Sequence, residues 1–215
     1  MKYLFLILIF IFNSSCSLNK KSLVNESKSN SLEFENKLSI SEKEIINEFL
    51  RIQFSKDKFK SYTSLPVNLI KEELGVMYSL NVYEDCYNER YLPIQSVTKR
   101  EWILDSIQIQ KLKSLLKKEK QYSWKKDDIY LENLTIIGGQ DLQKSIREKT
   151  YIEQPRRLII YISKPLIIDK NNVLISFKSG DSSLGFMTIE NFTVLMKKIN
   201  DKWIFDNYFY GNIYD

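Results

Sequence analysis

Arg156-Arg-Leu-Ile-Ile-Tyr-Ile-Ser-Lys-Pro-Leu-Ile-Ile-Asp-Lys-Asn-Asn-Val-Leu-Ile-Ser-Phe-Lys178 opens the stretch that decides the fold, which continues to Tyr210. Leu158, Ile160 and Ile162 alternate with Ile159 and Tyr161. That is the period of two a strand imposes, because successive side chains leave opposite faces. Pro165 has no N–H to donate to a neighbour, so the strand should bulge, end or run along an edge there. Asp169-Lys-Asn-Asn172 supplies turn residues. Val173, Ile175 and Phe177 then share a face opposite Ser176 and Lys178, the pattern of a sheet buried on one side. Phe192, Val194 and Met196 repeat the alternation after segment 179–191, which holds Gly180 and Gly185. Asn200-Asp201 turns the chain into Trp203, Phe205 and Phe209, read as the aromatic face of the last strand. Four strands in order predict an antiparallel β-meander.

Upstream of the meander the pattern changes period. Ser41-Glu-Lys-Glu44 fits a capping box with Ile40 and Ile45 as a hydrophobic staple, and Ile45, Ile46, Phe49, Leu50 and Ile52 follow as an apolar stripe. A helix over roughly 42–54 is expected to lie on the sheet. Asp105, or Ser106 beside it, can cap a second helix, since Gln108 follows Asp105 by three residues and Ile109, Leu112, Leu115 and Leu116 keep helical spacing. The lysines at 117, 118 and 120 suit its C-terminus. Residues 55–100 read less cleanly. Leu65-Pro66 breaks any helix, 69–74 suggests one helical turn ended by Gly75, and 76–82 has strand character. Tyr83, Tyr87 and Tyr91 recur every four residues around Cys86, a small buried hydrophobe in this reading. Tyr122, Trp124, Ile129, Leu131, Leu134, Ile136 and Ile137 suggest one or two strands before a turn at Gly138-Gly139, and 141–149 a short third helix. The fold class expected is therefore α+β: amphipathic helices packed on an antiparallel β-meander, with a cystatin-like or NTF2-like cone among the layouts this pattern allows.

The first sixteen residues set the class of protein. Lys2 supplies a positive start, residues 3–12 are an unbroken apolar run of ten, and Asn13-Ser-Ser-Cys16 closes it. Ten apolar residues are too few for a membrane span, which needs about 20, so the run reads as a secretory leader. Ser14-Ser15-Cys16 resembles the lipobox of bacterial lipoproteins, with Asn13 where Leu is commoner. The resemblance implies cleavage before Cys16, lipidation of its new N-terminus and anchorage to the membrane. Residues 1–15 are then a signal peptide, 16–40 a lipidated cysteine and flexible tether, and 41–215 a single globular domain. About 24 residues of flexible chain span roughly 25–30 Å, enough to hold a domain clear of a bilayer. Ser17-Leu-Asn-Lys-Lys21 carries no acidic cluster, which points to an outer membrane location facing the periplasm.

Removing residues 1–15 takes away Lys2 alone among charged residues and leaves 31 basic against 27 acidic. The basic residues are dispersed, in short clusters such as Lys117-Lys118, Lys125-Lys126 and Arg156-Arg157. Solvated faces of a domain, and no nucleic-acid partner, are expected from that spread. The chain contains no histidine. A Ser-His-Asp or Cys-His pair, an HExxH zinc site and an imidazole acid or base therefore fall away. Glu72-Glu73, Glu84-Asp85 and Asp127-Asp128 are the carboxylate doublets available for acid and base work. Adjacent residues diverge on a strand and lie about 100° apart on a helix, so each doublet is read as a solvated surface. Asp181 and Asn191 flank a loop without fixing a ligand geometry, and no residue is singled out for catalysis, for a cofactor or for a metal.

Ile162-Ser-Lys-Pro165, Val173-Leu-Ile-Ser-Phe177, Phe192-Thr-Val-Leu-Met-Lys-Lys198 and Lys202-Trp203-Ile204 together resemble the ending of small bacterial lipoproteins of unknown function. In those proteins a Ser-x-Pro strand leads through a hairpin to a Gly-Lys-Trp strand. Asp201 stands here where the Gly would be. The resemblance covers roughly residues 105–210 and implies an address and a sheet, with no activity attached. The functional expectation is a lipid-anchored envelope protein with a non-enzymatic domain that binds a partner or small ligand. The alternative is a hydrolase using carboxylates or a Ser/Lys pair.

Overall fold

The computed structural model describes residues 37–62, 64–91 and 101–211. The leader, Cys16 and most of the tether lie outside the described residues. The meander is present: β3 (Leu158–Ile162), β4 (Leu166–Asp169), β5 (Asn172–Asp181), β6 (Thr188–Ile199) and β7 (Lys202–Phe209) are joined by antiparallel ladders. β3 pairs with the far half of β5, Phe177 to Asp181, and β4 with its start, Asn172 to Leu174. The two are one strand interrupted at Ser163-Lys-Pro165, where proline has no N–H to continue the ladder.

Two strands extend this sheet in a way the sequence pattern did not suggest. β1 (Val67–Ile70) lies between β2 (Leu134–Ile137) and β3 and is parallel to both, giving the order β2-β1-β3-β5-β6-β7 in a seven-stranded mixed sheet. The antiparallel description is corrected to that extent, the α+β class standing. All four β1 residues are buried, so no alternation marks the strand, as is usual for parallel strands covered on both faces. Parallel neighbours need crossovers. α2 (Val76–Asn88) and α3 (Ser106–Leu116) connect β1 to β2, and α4 (Gly139–Arg147) connects β2 to β3. No helix among the described residues is long and apolar enough to cross a membrane.

Local signals explain most of the helices, with shifts. α1 runs Ile40–Phe54, and its capping box is Ser39 with Glu42, two residues ahead of the Ser41-Glu44 pair. Ser39-Ile-Ser-Glu42 satisfies the same rule, and the earlier register buries Leu38 in the core while leaving Ile40 80% exposed, so Ile40 is no staple. α3 has the expected box between Asp105 and Gln108 and ends at Lys117. α2 replaces the strand expected at 76–82. Val76, Ser79, Leu80, Tyr83 and Cys86 are its buried residues together with Val82, a spacing of three and four that only a helix brings to one face. Gly75, at φ 83°, provides the left-handed entry.

The sheet is covered on both faces, where alternation in β5 suggested one. On one side Ile45, Ile46, Phe49 and Leu50 of α1 pack on Ile160, Ile175, Phe177 and Val194. On the other, Leu80 and Tyr83 of α2 and Ile109 of α3 pack on Leu174, Leu195 and Phe209, with Leu142 of α4 on Ile70 and Ile159. Ser176 is therefore buried, and it bonds Ser79 Oγ at 2.7 Å and Thr193 Oγ1 at 2.6 Å, while Ser79 also donates to Ser163 Oγ at 3.0 Å. Those hydroxyls satisfy one another across the contact between α2 and the sheet, which removes the penalty of burying them.

A register shift in the β6–β7 ladder between Leu195 and Met196 decides where the last aromatics go. Trp203, Phe205 and Tyr208 border the α1 side and stay partly exposed, whereas Phe209 is fully buried on the α2 side. The single aromatic face expected for Trp203, Phe205 and Phe209 is split in two. Phe209→Ala should therefore cost about 3–5 kcal/mol, the range for emptying a buried aromatic site. Trp203→Ala should cost no more than about 2 kcal/mol. Urea titrations of both variants check the order, and equal midpoints would show that the shift does not separate the two faces.

Candidate functional site

Two of the three carboxylate doublets bury one member. Glu73 is 3% exposed and Asp128 2% exposed, a correction to the solvated-surface reading. Glu73 accepts from the Tyr122 N–H at 2.7 Å and the Lys164 N–H at 2.9 Å. Asp128 accepts from the Tyr122 hydroxyl at 2.6 Å and from the Lys125 N–H at 3.0 Å, and pairs with Lys43 at 2.9 Å. The two acids thus sit at opposite ends of Tyr122. Glu72 accepts from the Gly139 N–H at 2.8 Å at the turn into α4, and Glu84 of α2 pairs with Lys113 of α3. Asp181, read as a loop flank, is fully buried; Asn191 accepts from the Tyr78 hydroxyl at 3.2 Å. Cys86 is buried on α2, as expected. Cys16 lies outside the described residues.

Electrostatics separate these acids. Burial pushes the Glu73 carboxyl above its ordinary range, more than its two N–H bonds pull it down. Burial acts on Asp128 in the same sense, but the bonds from Tyr122, Lys43 and the Lys125 amide bring it below the ordinary value. Asp181 is held down at about 2. Burial opposes this, and bonds from Arg156, from Ser183 and from the Tyr62 hydroxyl prevail. Its carboxylate accepts from Arg156 Nε at 2.9 Å, Tyr62 at 3.0 Å and the Ser183 N–H at 2.8 Å. Among the described residues no group of three or more Cys, Asp or Glu side chains is placed to hold a metal ion.

A different cluster faces solvent. Lys56, just past the end of α1, places its amine 4.6 Å from the centre of the Phe205 ring, 4.9 Å from Tyr208 and 5.5 Å from Phe192. It donates to the Tyr208 hydroxyl at 2.8 Å and to Gln53. Gln53 in turn donates to Glu190 at 3.2 Å, and Glu190 pairs with the more exposed Lys58. Burial, with the charge of Lys58 added, lowers the Lys56 amine to about 8, and the ring faces act in the opposite sense by favouring its cation. Burial pushes the Tyr208 phenol up to about 12.

Glu190 and Phe192 continue from this cluster into an open groove of about 600 Å³, which Met187, Ile189 and Tyr210 also line. Tyr210 is 60% exposed and stacks on Tyr208, and Met187 is 69% exposed. The groove presents ring faces, a flexible thioether and an acceptor at Glu190, which pairs with Lys58 outside it. Met and aromatic side chains of this kind suit contact with a partner surface. Sequence reading passed over Lys56, Glu190 and Tyr208 because Lys56 lies more than a hundred positions from the other two. The one local trace is the aromatic run from Trp203 to Tyr210. No protein-family model matches this chain, and neither does any curated protein or solved structure.

Two pH limbs follow from Asp181 and Lys56. Asp181 has a folded value depressed to about 2, so its stabilisation is present above its ordinary value near 3.8 and is lost as pH falls toward 2. Asp181→Asn should flatten that acid limb in urea titrations run from pH 5 downward. Lys56 is also depressed, from 10.5 to about 8, but as a base. Between those values the unfolded chain binds more protons, so stability should rise with pH there. The difference between wild type and Lys56→Met should climb from about pH 8 to pH 9.5, below the range in which the tyrosines titrate. A flat difference would show that the amine is not desolvated.

Proposed function

We propose that this protein is a lipid-anchored component of a bacterial cell envelope, attached through Cys16, whose folded domain binds a partner without catalysis. The observation that carries the reading is Lys2, the apolar run at 3–12 and Asn13-Ser-Ser-Cys16, in that order and within sixteen residues. Ser17-Leu-Asn-Lys-Lys21 supports an outer membrane location facing the periplasm. The domain contributes the groove beside Lys56, with Met187 and Tyr210 exposed in it. Binding is favoured over a carboxylate hydrolase because Glu73 and Asp128 are engaged by backbone amides at opposite ends of Tyr122.

Two or more acyl chains make membrane anchoring stable, each buried CH₂ contributing about 0.8 kcal/mol. Cys16→Ser should therefore abolish metabolic palmitate labelling and move the protein from the membrane to the soluble fraction. A wild type that takes up no label, with a variant that stays on the membrane, would overturn the anchor. The binding half is read separately, by placing a photo-crosslinking residue at Met187 or, on α3, at the 79% exposed Ile107. A discrete adduct in intact cells from position 187 alone is the expected result; adducts from neither position would remove the groove from the proposal.

A further inference from the structure

A second cavity, of about 180 Å³, lies between α4 and the sheet. Ile137, Leu142, Ile159 and Phe186 form its apolar walls, and Asn68 meets it from the middle of β1. Asn68 is 5% exposed, and its side-chain amide, which makes no hydrogen bond to another described residue, keeps access to the cavity. Its two donors and its acceptor are open to whatever occupies the cavity, water or a ligand. Val67, Leu69 and Ile70 are apolar, so Asn68 is the one polar side chain of β1.

Arg157 supplies the cation of the cavity. Its neighbour Arg156 is committed to Asp181, but Arg157 donates through Nε to the Pro155 carbonyl at 3.1 Å and, among the described residues, has no carboxylate within ion-pair distance. Asp141 also lines the cavity, yet its carboxylate is folded back on the start of α4: a Cβ added at Gly138 would stand 2.9 Å from it. The remaining wall is held under strain. Phe186 has a φ of 65°, a left-handed conformation unusual for a bulky residue, directly after Gly185 at 63°. Its N–H bonds the Asp181 carbonyl at 2.9 Å and its ring packs 4.9 Å from Tyr151. Gly180 leaves room for that turn, since a Cβ there would lie 2.8 Å from the Phe186 carbonyl. Strain maintained by so many contacts is found most often where a side chain must stand in one place for a ligand.

We infer that this cavity binds a small monocarboxylate with an aromatic body. Arg157 takes the carboxylate, the Asn68 amide supplies a further hydrogen bond, and the body packs against Ile137, Leu142, Ile159 and Phe186. The volume suits it, since an apolar cavity of about 150 Å³ accepts benzene. Phe186 also lines the groove beside Lys56, but the inference stands on Asn68 and Arg157 and is independent of the anchor and of partner binding.

Fluorine NMR of the detergent-solubilised full-length protein tests it, with para-fluorobenzoate as probe and neutral para-fluorobenzyl alcohol as the comparison. Saturable broadening of the benzoate signal is expected. Arg157→Gln should weaken benzoate binding by about tenfold or more and leave the alcohol unchanged, while Arg147→Gln, on α4, should change neither. Asn68→Leu should weaken both probes, because it removes the amide that bonds them and puts an apolar side chain of similar size in its place. No saturable binding of the benzoate at millimolar concentration, or equal affinity in Arg157→Gln, would overturn the inference.

Discussion

β5 is buried along both faces and both edges, and that constraint governs the rest of the molecule. Its backbone groups pair with β3 and β4 on one side and with β6 on the other. Its side chains must satisfy two layers at once. Val173, Ile175 and Phe177 fill the α1 side, while Leu174 and the Ser176 hydroxyl meet α2. A strand in that position tolerates little exchange, since an added polar group needs a partner and a lost methylene leaves a void. The hydroxyl chain through Ser79, Ser163, Ser176 and Thr193 shows how the fold admits polarity there, by bringing four short side chains from α2, β5, β6 and the β3–β4 break into one bonded set.

Tyr122 plays a comparable role for the segments outside the sheet. Its ring lies in the core against Trp124, its amide bonds Glu73 and its hydroxyl bonds Asp128. Trp124 adds a bond from its indole N–H to the Ile162 carbonyl at 3.2 Å, at the very place where Pro165 is about to end the β3 ladder. Buried acids that accept from backbone amides hold irregular chain in place without a ladder, and Glu73 and Asp128 both do so. Among the described residues only Asn172 Oδ1 and Ser179 Oγ are buried side-chain polar atoms without a partner.

How much was legible depends on how local the cause was. Asp105 and Gln108 cap α3 because three residues suffice to define the box, and the meander shows itself because alternation within each strand reports its own burial. The choice between Ser39 and Ser41 as the cap of α1 was not local, since it turned on whether Leu38 found the core. α2 was misread because Ser79, Tyr83 and Cys86 do not look apolar enough until the hydroxyl chain and the ring of Trp102 are present to receive them. β1 left no periodic trace, since a strand covered on both faces has no face to alternate.

By itself the sequence determined the α+β class, the order of the C-terminal strands, the caps that start helices within a residue or two, and an N-terminal pattern that bears on address. Each of these follows from groups a few residues apart, whose geometry the backbone dictates. Tertiary structure alone decided the parallel placement of β1 and β2, the division of the last aromatics between two faces, and both cavities. Those outcomes bond residues as far apart as Lys56 and Tyr208, or bring Asn68 and Arg157 to the walls of one cavity. No local period encodes such contacts, because they exist only once β5 is covered on both sides and the helices have been forced to share what surface remains.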